Sequence, residues 1–82
     1  MMKPMAVPLD EIYVPARLRP TLDGAKVREI AESIMEKGLQ TPIQVRRDDK
    51  RYVLVTGLHR LEAAKSLGEK TIQALLVHAR QH

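Results

Sequence analysis

Three glycines, Gly38, Gly57 and Gly68, cut the chain into pieces too short for anything but a small mixed fold. Between them the hydrophobic period switches from helical to extended and back again. Asp23 offers a carboxylate to the free amides of a first helical turn. Val27, Ile30, Ala31, Ile34 and Met35 follow at helical spacing as a stripe for burial, with Lys26, Arg28, Glu29, Glu32, Ser33, Glu36 and Lys37 off it. Gly38 supplies a left-handed stop. After Pro42, Ile43-Gln44-Val45-Arg46 alternates as a strand, Asp48-Asp49-Lys50 turns, and Arg51 to Thr56 returns. In that returning strand Val53 and Val55 take one face and Tyr52 and Leu54 the other, so it is expected to be covered on both sides. A second helix is predicted from Leu58 to Leu67, with Leu61, Ala64 and Leu67 inward, closed by Gly68. Thr71 to Val77 is a last apolar strand.

The first 22 residues are harder to read. Ala6-Val7 suits a short edge strand ended by Pro8. Asp10 is placed to cap a single turn around Glu11-Ile12. Tyr13 to Pro20 is predicted as an extended connector, because Pro15 and Pro20 push their predecessors out of helical space. The order is strand, connector, helix, hairpin, helix, strand, an α+β class with a small mixed sheet and two main helices. Residues 1–82 form one domain, since 82 residues build a single core. A stability of roughly 3–5 kcal/mol is expected of a core that small.

Composition removes several functions. Tyr13 and Tyr52 are the whole aromatic inventory, so a sheet that stacks nucleic-acid bases and an aromatic cage are both excluded. With no cysteine there is no disulfide, thiolate zinc site or cysteine nucleophile, which is compatible with a reducing, cytoplasmic setting. The first residues lack the apolar run of a signal peptide, and no window approaches a membrane span. The formal charge of +4 lies entirely in the second half, residues 42–82, because residues 1–41 balance. Such an excess suits an anionic partner, nucleotide or nucleic acid, or simple solubility.

The most informative segment is Val55-Thr56-Gly57-Leu58-His59-Arg60. A strand ends, a glycine turns, and a helix begins. Free amides at a helix start favour an anion, and Gly57 lets a backbone approach it closely. Arg60 can fork onto phosphate oxygens. A cation in the first turn opposes the helix dipole by roughly 0.3–1 kcal/mol, so a negative occupant would explain His59 and Arg60 there. A capping glycine followed by two surface residues explains the same spacing equally well. Lys26 and Ser33 join the turn only if the two helix starts converge. The hairpin cations Arg46, Arg47, Lys50 and Arg51 suit a DNA backbone or a solvated tip that guards against aggregation. His59, His78 and His82 do not form a ligand set, so no metal site is expected. Glu29, Glu32 and Glu36 read as helix-surface charge.

Two stretches resemble the N-terminal domain of the ParB family, whose fold is shared with sulfiredoxin. Glu29 to Arg46, EIAESIMEKGLQTPIQVR, is similar to the family's helix, glycine, proline-isoleucine step and strand ending in arginine. Tyr52 to Gly68, YVLVTGLHRLEAAKSLG, is similar to its strand, phosphate turn and alanine-rich helix. The family usually has Gly-Glu-Arg-Arg at the turn, where this chain has Gly57-Leu58-His59-Arg60, and glutamine before the proline, where this chain has Thr41. The turn also resembles the Gly-Cys-His-Arg of sulfiredoxins, with Leu58 in place of the reactive cysteine. Sulfinic-acid reduction is thus not expected.

The resemblance implies a nucleotide-binding module with a DNA-partition or DNA-associated regulatory role. Gly57, Leu58, His59, Arg60 and Lys26 would hold the phosphates of CTP or ATP, with Mg2+. Gly38, Leu39, Gln40, Thr41, Pro42, Ile43 and Ser33 would border the base or sugar. A homodimer is a further expectation. The helix-turn-helix domain of full-length ParB proteins has no counterpart in these 82 residues, so a standalone miniature or an excised domain is expected. The alternatives are a phosphotransferase or nuclease of the same fold, with Glu29, Glu32, Glu36 and Glu62 as its nearby carboxylates, and a sequence-nonspecific nucleic-acid binder.

Overall fold

The computed structural model describes residues 3–39 and 41–78. Five strands, β1 (Met5–Pro8), β2 (Ile12–Tyr13), β3 (Ile43–Asp48), β4 (Arg51–Thr56) and β5 (Thr71–Leu76), join in one sheet of order β1-β5-β3-β4-β2. Two helices, α1 (Gly24–Lys37) and α2 (Leu58–Ser66), complete an α+β fold. The hairpin β3–β4 and the pair β1–β5 are antiparallel, while β3–β5 and β2–β4 are parallel. The sheet therefore mixes both ladders, as predicted.

The core lies on one sheet face. Val7, Ile43, Val45, Leu54, Ile72 and Ala74 point there from the strands and meet Leu58, Leu61 and Ala64 of α2. Alternation in β4 carries through: Leu54 joins this core, while Val53 is buried on the opposite side, where the register sets it between Arg46 of β3 and Tyr13 of β2. α2 lies against β3, and α1 packs on α2.

Asp23 caps α1 as expected, its Oδ1 accepting from the Ala25 amide at 2.9 Å. The Gly38 amide donates to the Ile34 carbonyl at 2.7 Å, and Gly38 takes φ 76°. The apolar stripe of α1 is less buried than its periodicity suggests. Val27, Ile30, Ala31 and Ile34 are half-buried, and Met35 is 73% exposed, because α1 packs mainly on α2 and the stripe is wider than that contact.

The N-terminal segment departs from the predicted pattern twice. Residues Leu9–Glu11 form a 3-10 turn that no side chain caps, with Pro8 rather than Asp10 at its head. The predicted extended connector is instead a short strand, β2, followed by a 3-10 helix over Ala16–Thr21. A 3-10 helix accepts proline where its missing amide is not needed, and the proline φ suits it. The Leu18 amide donates to the Pro15 carbonyl at 3.0 Å, and the Thr21 hydroxyl donates to the Leu18 carbonyl at 2.6 Å.

Candidate functional site

The turn that joins β4 to α2 tolerates only glycine. Gly57 has φ 106° and ψ 28°, in the left-handed region. A Cβ there would stand 2.6 Å from Cγ2 and 2.8 Å from Cβ of Ile43. Ile43 is fully buried at the head of β3, so the turn is pressed onto the sheet. Ile43 thus supports the turn from below, with its side chain closed to solvent.

Above that support, the N-terminus of α2 is bare. The first intrahelical bond runs from the Leu61 amide to the Gly57 carbonyl at 2.9 Å. The amides of Leu58, His59 and Arg60 precede it, no side chain among the described residues caps them, and the first turn holds no acid. The Leu58 side chain is buried in the core, so only its backbone is available to a ligand.

Arg60 reaches sideways. Its Nη1 donates to the Pro42 carbonyl at 3.4 Å, a long and weak bond. It also lines a cavity of about 150 Å3 with Ile30, Ser33, Ile34, Gly38, Leu39 and Thr41. Arg60, Ser33, Gly38, Leu39 and Thr41, far apart in the chain, thus share one concavity. Gln40 lies outside the described residues. A larger cavity, of about 330 Å3, shares Ile34, Gly38 and Leu39 but carries Glu69 and no cation, so it does not suit an anion.

The two helix starts converge, as a shared site requires. The Asp23 amide donates to His59 Nε2 at 3.0 Å. This contact spans 36 residues, and sequence reasoning had no signal for it. Lys26 sits in the first turn of α1, exposed, and does not line the Arg60 cavity.

The hairpin cations lie toward the other end of β4: by strand rise Arg51 is about 20 Å from Gly57, and Arg46, paired with Val53, about 13 Å. The Arg47 guanidinium lies 4.6 Å from the centre of the Tyr52 ring, and that of Arg51 lies 4.0 Å from that of Tyr13. Arg51 also meets Asp48 at 3.6 Å. Among the described residues no three His, Asp or Glu side chains are grouped to hold a metal ion.

Comparison with known proteins places the fold. The model of the ParB N-terminal domain matches residues 3–82. The chloroplastic/mitochondrial sulfiredoxin of Arabidopsis thaliana is 42% identical over 72 residues, 85% of this chain and 58% of that protein. Its crystal structure superposes with a TM-score of 0.84 at 35% identity, covering 94% of this chain and 86% of that one. A probable chromosome-partitioning protein ParB of Campylobacter jejuni is 39% identical over 62 residues, 76% of this chain but 22% of that protein. The C-terminally truncated ParB of Caulobacter crescentus, solved with CTP-gamma-S, superposes with a TM-score of 0.81 at 26% identity, covering 96% of this chain and 46% of that one. This chain spans little more than half of the sulfiredoxin and about a quarter of the partition proteins. The glycine turn pressed onto Ile43 and the bare start of α2 are therefore features of a chain that belongs to the ParB N-terminal domain family.

Proposed function

We propose that this domain binds a nucleoside triphosphate and acts as the nucleotide-controlled part of a DNA-partition or other DNA-associated regulatory system. One observation carries the reading: an uncapped, acid-free helix start that bears Arg60, the same residue that lines the Ser33–Thr41 cavity. The amides of Leu58, His59 and Arg60 would donate to phosphate oxygens, as helix starts do. Arg60 would exchange its long bond to Pro42 for a charge-assisted fork on phosphate. A cavity of about 150 Å3 takes one part of a nucleotide, so Ser33, Leu39 and Thr41 would border the base or sugar while the phosphates lie along the turn. Lys26, in the first turn of α1, would add a cation from the converging helix. Magnesium would arrive on the phosphates.

The CTP-gamma-S carried by the C. crescentus relative supports testing a cytidine nucleotide first. The partition proteins among the relatives support the DNA role. Arg46 and Lys50, with the tyrosine-stacked Arg47 and Arg51, would face a DNA backbone at the far end of the sheet.

Calorimetry with CTP, ATP and GTP, each with magnesium, decides the matter. At least one is expected to bind, and Arg60→Ala is expected to weaken it about ten- to a hundredfold, the worth of a hydrogen bond to a charged group. Failure of all three at millimolar concentration would refute nucleotide binding.

A further inference from the structure

We propose that the cavity of about 330 Å3 beside the Arg60 cavity is the nucleobase site, and that Glu69 on its rim selects a base with an exocyclic amino group, such as cytosine or adenine. The inference rests on the nucleotide reading above and assigns that site its base specificity.

The two cavities are neighbours. Ile34, Gly38 and Leu39, from the end of α1 and the chain after it, line both. On the α2 side, Arg60 lines the smaller and Ala64 the larger, about 6 Å further along the helix axis. Their chemistry differs. The smaller holds a guanidinium and the hydroxyls of Ser33 and Thr41, partners for phosphate and sugar. Among the described residues the larger holds no cation, and its one charge is the Glu69 carboxylate. Phosphate is repelled there, so a nucleotide spans the pair in one direction, with its phosphates toward Arg60. Buried Ala64 and Ile72, with half-buried Ile34 and Leu39, offer a heterocycle apolar walls. Ligand cavities begin near about 300 Å3, a size that only the larger of the two reaches.

The backbone holds Glu69 in place. Gly68 closes α2 at φ 77°. The Gly68 amide donates to the Lys65 carbonyl at 3.0 Å and the Glu69 amide to the Ala64 carbonyl at 3.1 Å, the paired bonds of a glycine C-cap. The Glu69 carboxylate has no partner among the described residues. A carboxylate accepts and cannot donate. Cytosine and adenine present an amino group where uracil and hypoxanthine present a carbonyl oxygen. The amino group donates to Glu69, whereas the carbonyl oxygen meets it as a second acceptor and leaves both unpaired. Thr71 and Gln73, exposed on the same rim, carry a hydroxyl and a carboxamide that can donate to the neighbouring ring nitrogen.

The test is calorimetry, with magnesium, of two matched pairs, CTP against UTP and ATP against ITP, on the wild type and on Glu69→Gln. Within a pair the sugar and phosphates are the same, so the affinity ratio reports the base alone. It is read in the pair that binds more tightly. The wild type is expected to favour the amino base about tenfold, the worth of a hydrogen bond to a charged group. Glu69→Gln is expected to bring the ratio within about threefold, because a carboxamide also donates to a carbonyl oxygen. Amide NMR separates the two cavities. Inorganic tripolyphosphate with magnesium is expected to shift Leu58 to Arg60 and leave Thr71 to Gln73 unmoved, whereas the favoured nucleotide shifts both. Equal affinities within the pair, a ratio unchanged in Glu69→Gln, or Thr71 to Gln73 amides unmoved by the nucleotide overturns the base site and leaves the nucleotide reading standing. Absence of any nucleotide binding overturns both.

Discussion

Of the two helices that border the Arg60 cavity, α2 has nine residues and buries Leu58, Leu61, Ala63 and Ala64, whereas α1 has fourteen and buries none completely. The shorter helix is the anchored one. Ala63 and Ala64 let its backbone come close to its neighbours, and Leu61 is fully buried in the sheet's core. α1 lies a layer further out, held by its packing on α2, its Asp23 cap and the His59 contact. Length and amphipathic pattern therefore do not rank these helices. What ranks them is which one reaches the sheet. The proposed phosphate turn belongs to the anchored helix, and the opposite wall of the cavity belongs to the lightly held one.

Three substitutions can break or sharpen that contrast. Leu61→Ala empties a fully buried site and is expected to cost about 2–5 kcal/mol. In a domain of roughly 3–5 kcal/mol this removes most of the stability, which urea denaturation will read as a large fall in the midpoint. Gly57→Ala comes next. It strains a φ of 106° and drives a Cβ against Ile43, so a loss of about 1–3 kcal/mol is expected. A thermal melt should show it, since each kcal/mol moves the midpoint of a chain this size by about 4–8 °C. Met35→Gln is the smallest, within about 0.5 kcal/mol, because that side chain is mostly in water. A loss above 1 kcal/mol at Met35 in the same melt would mean that α1 has a covered face, and the contrast would fail.

The amino-acid pattern made the elements legible where one residue dictates one local geometry. Asp23 and Gly38 bound α1, Asp48 to Lys50 turn the hairpin, and Gly57 marks the strand-to-helix step. It misled where two geometries satisfy the same residues. Pro15 and Pro20 fit an extended connector and a 3-10 helix alike, and the choice falls to the Leu18 and Leu22 amides, which pair three residues back. Periodicity also announces that a stripe exists without saying how wide its partner is, hence the exposed Met35. At the candidate site, the glycine turn and Arg60 stand out locally. The convergence of Ser33, Leu39 and Thr41 on Arg60, and the contact of Asp23 with His59, are tertiary and leave no local trace.

The pairing of both tyrosines with hairpin arginines has an optical consequence. The chain has no tryptophan or phenylalanine, so Tyr13 and Tyr52 are its only aromatic chromophores. Both lie on β2 and β4 under guanidinium groups, toward the end of β4 away from Gly57. Intrinsic fluorescence and near-ultraviolet dichroism will therefore report events at the hairpin. An occupant of the Gly57–Arg60 turn would be nearly silent in both, unless its effect travels the length of the strand.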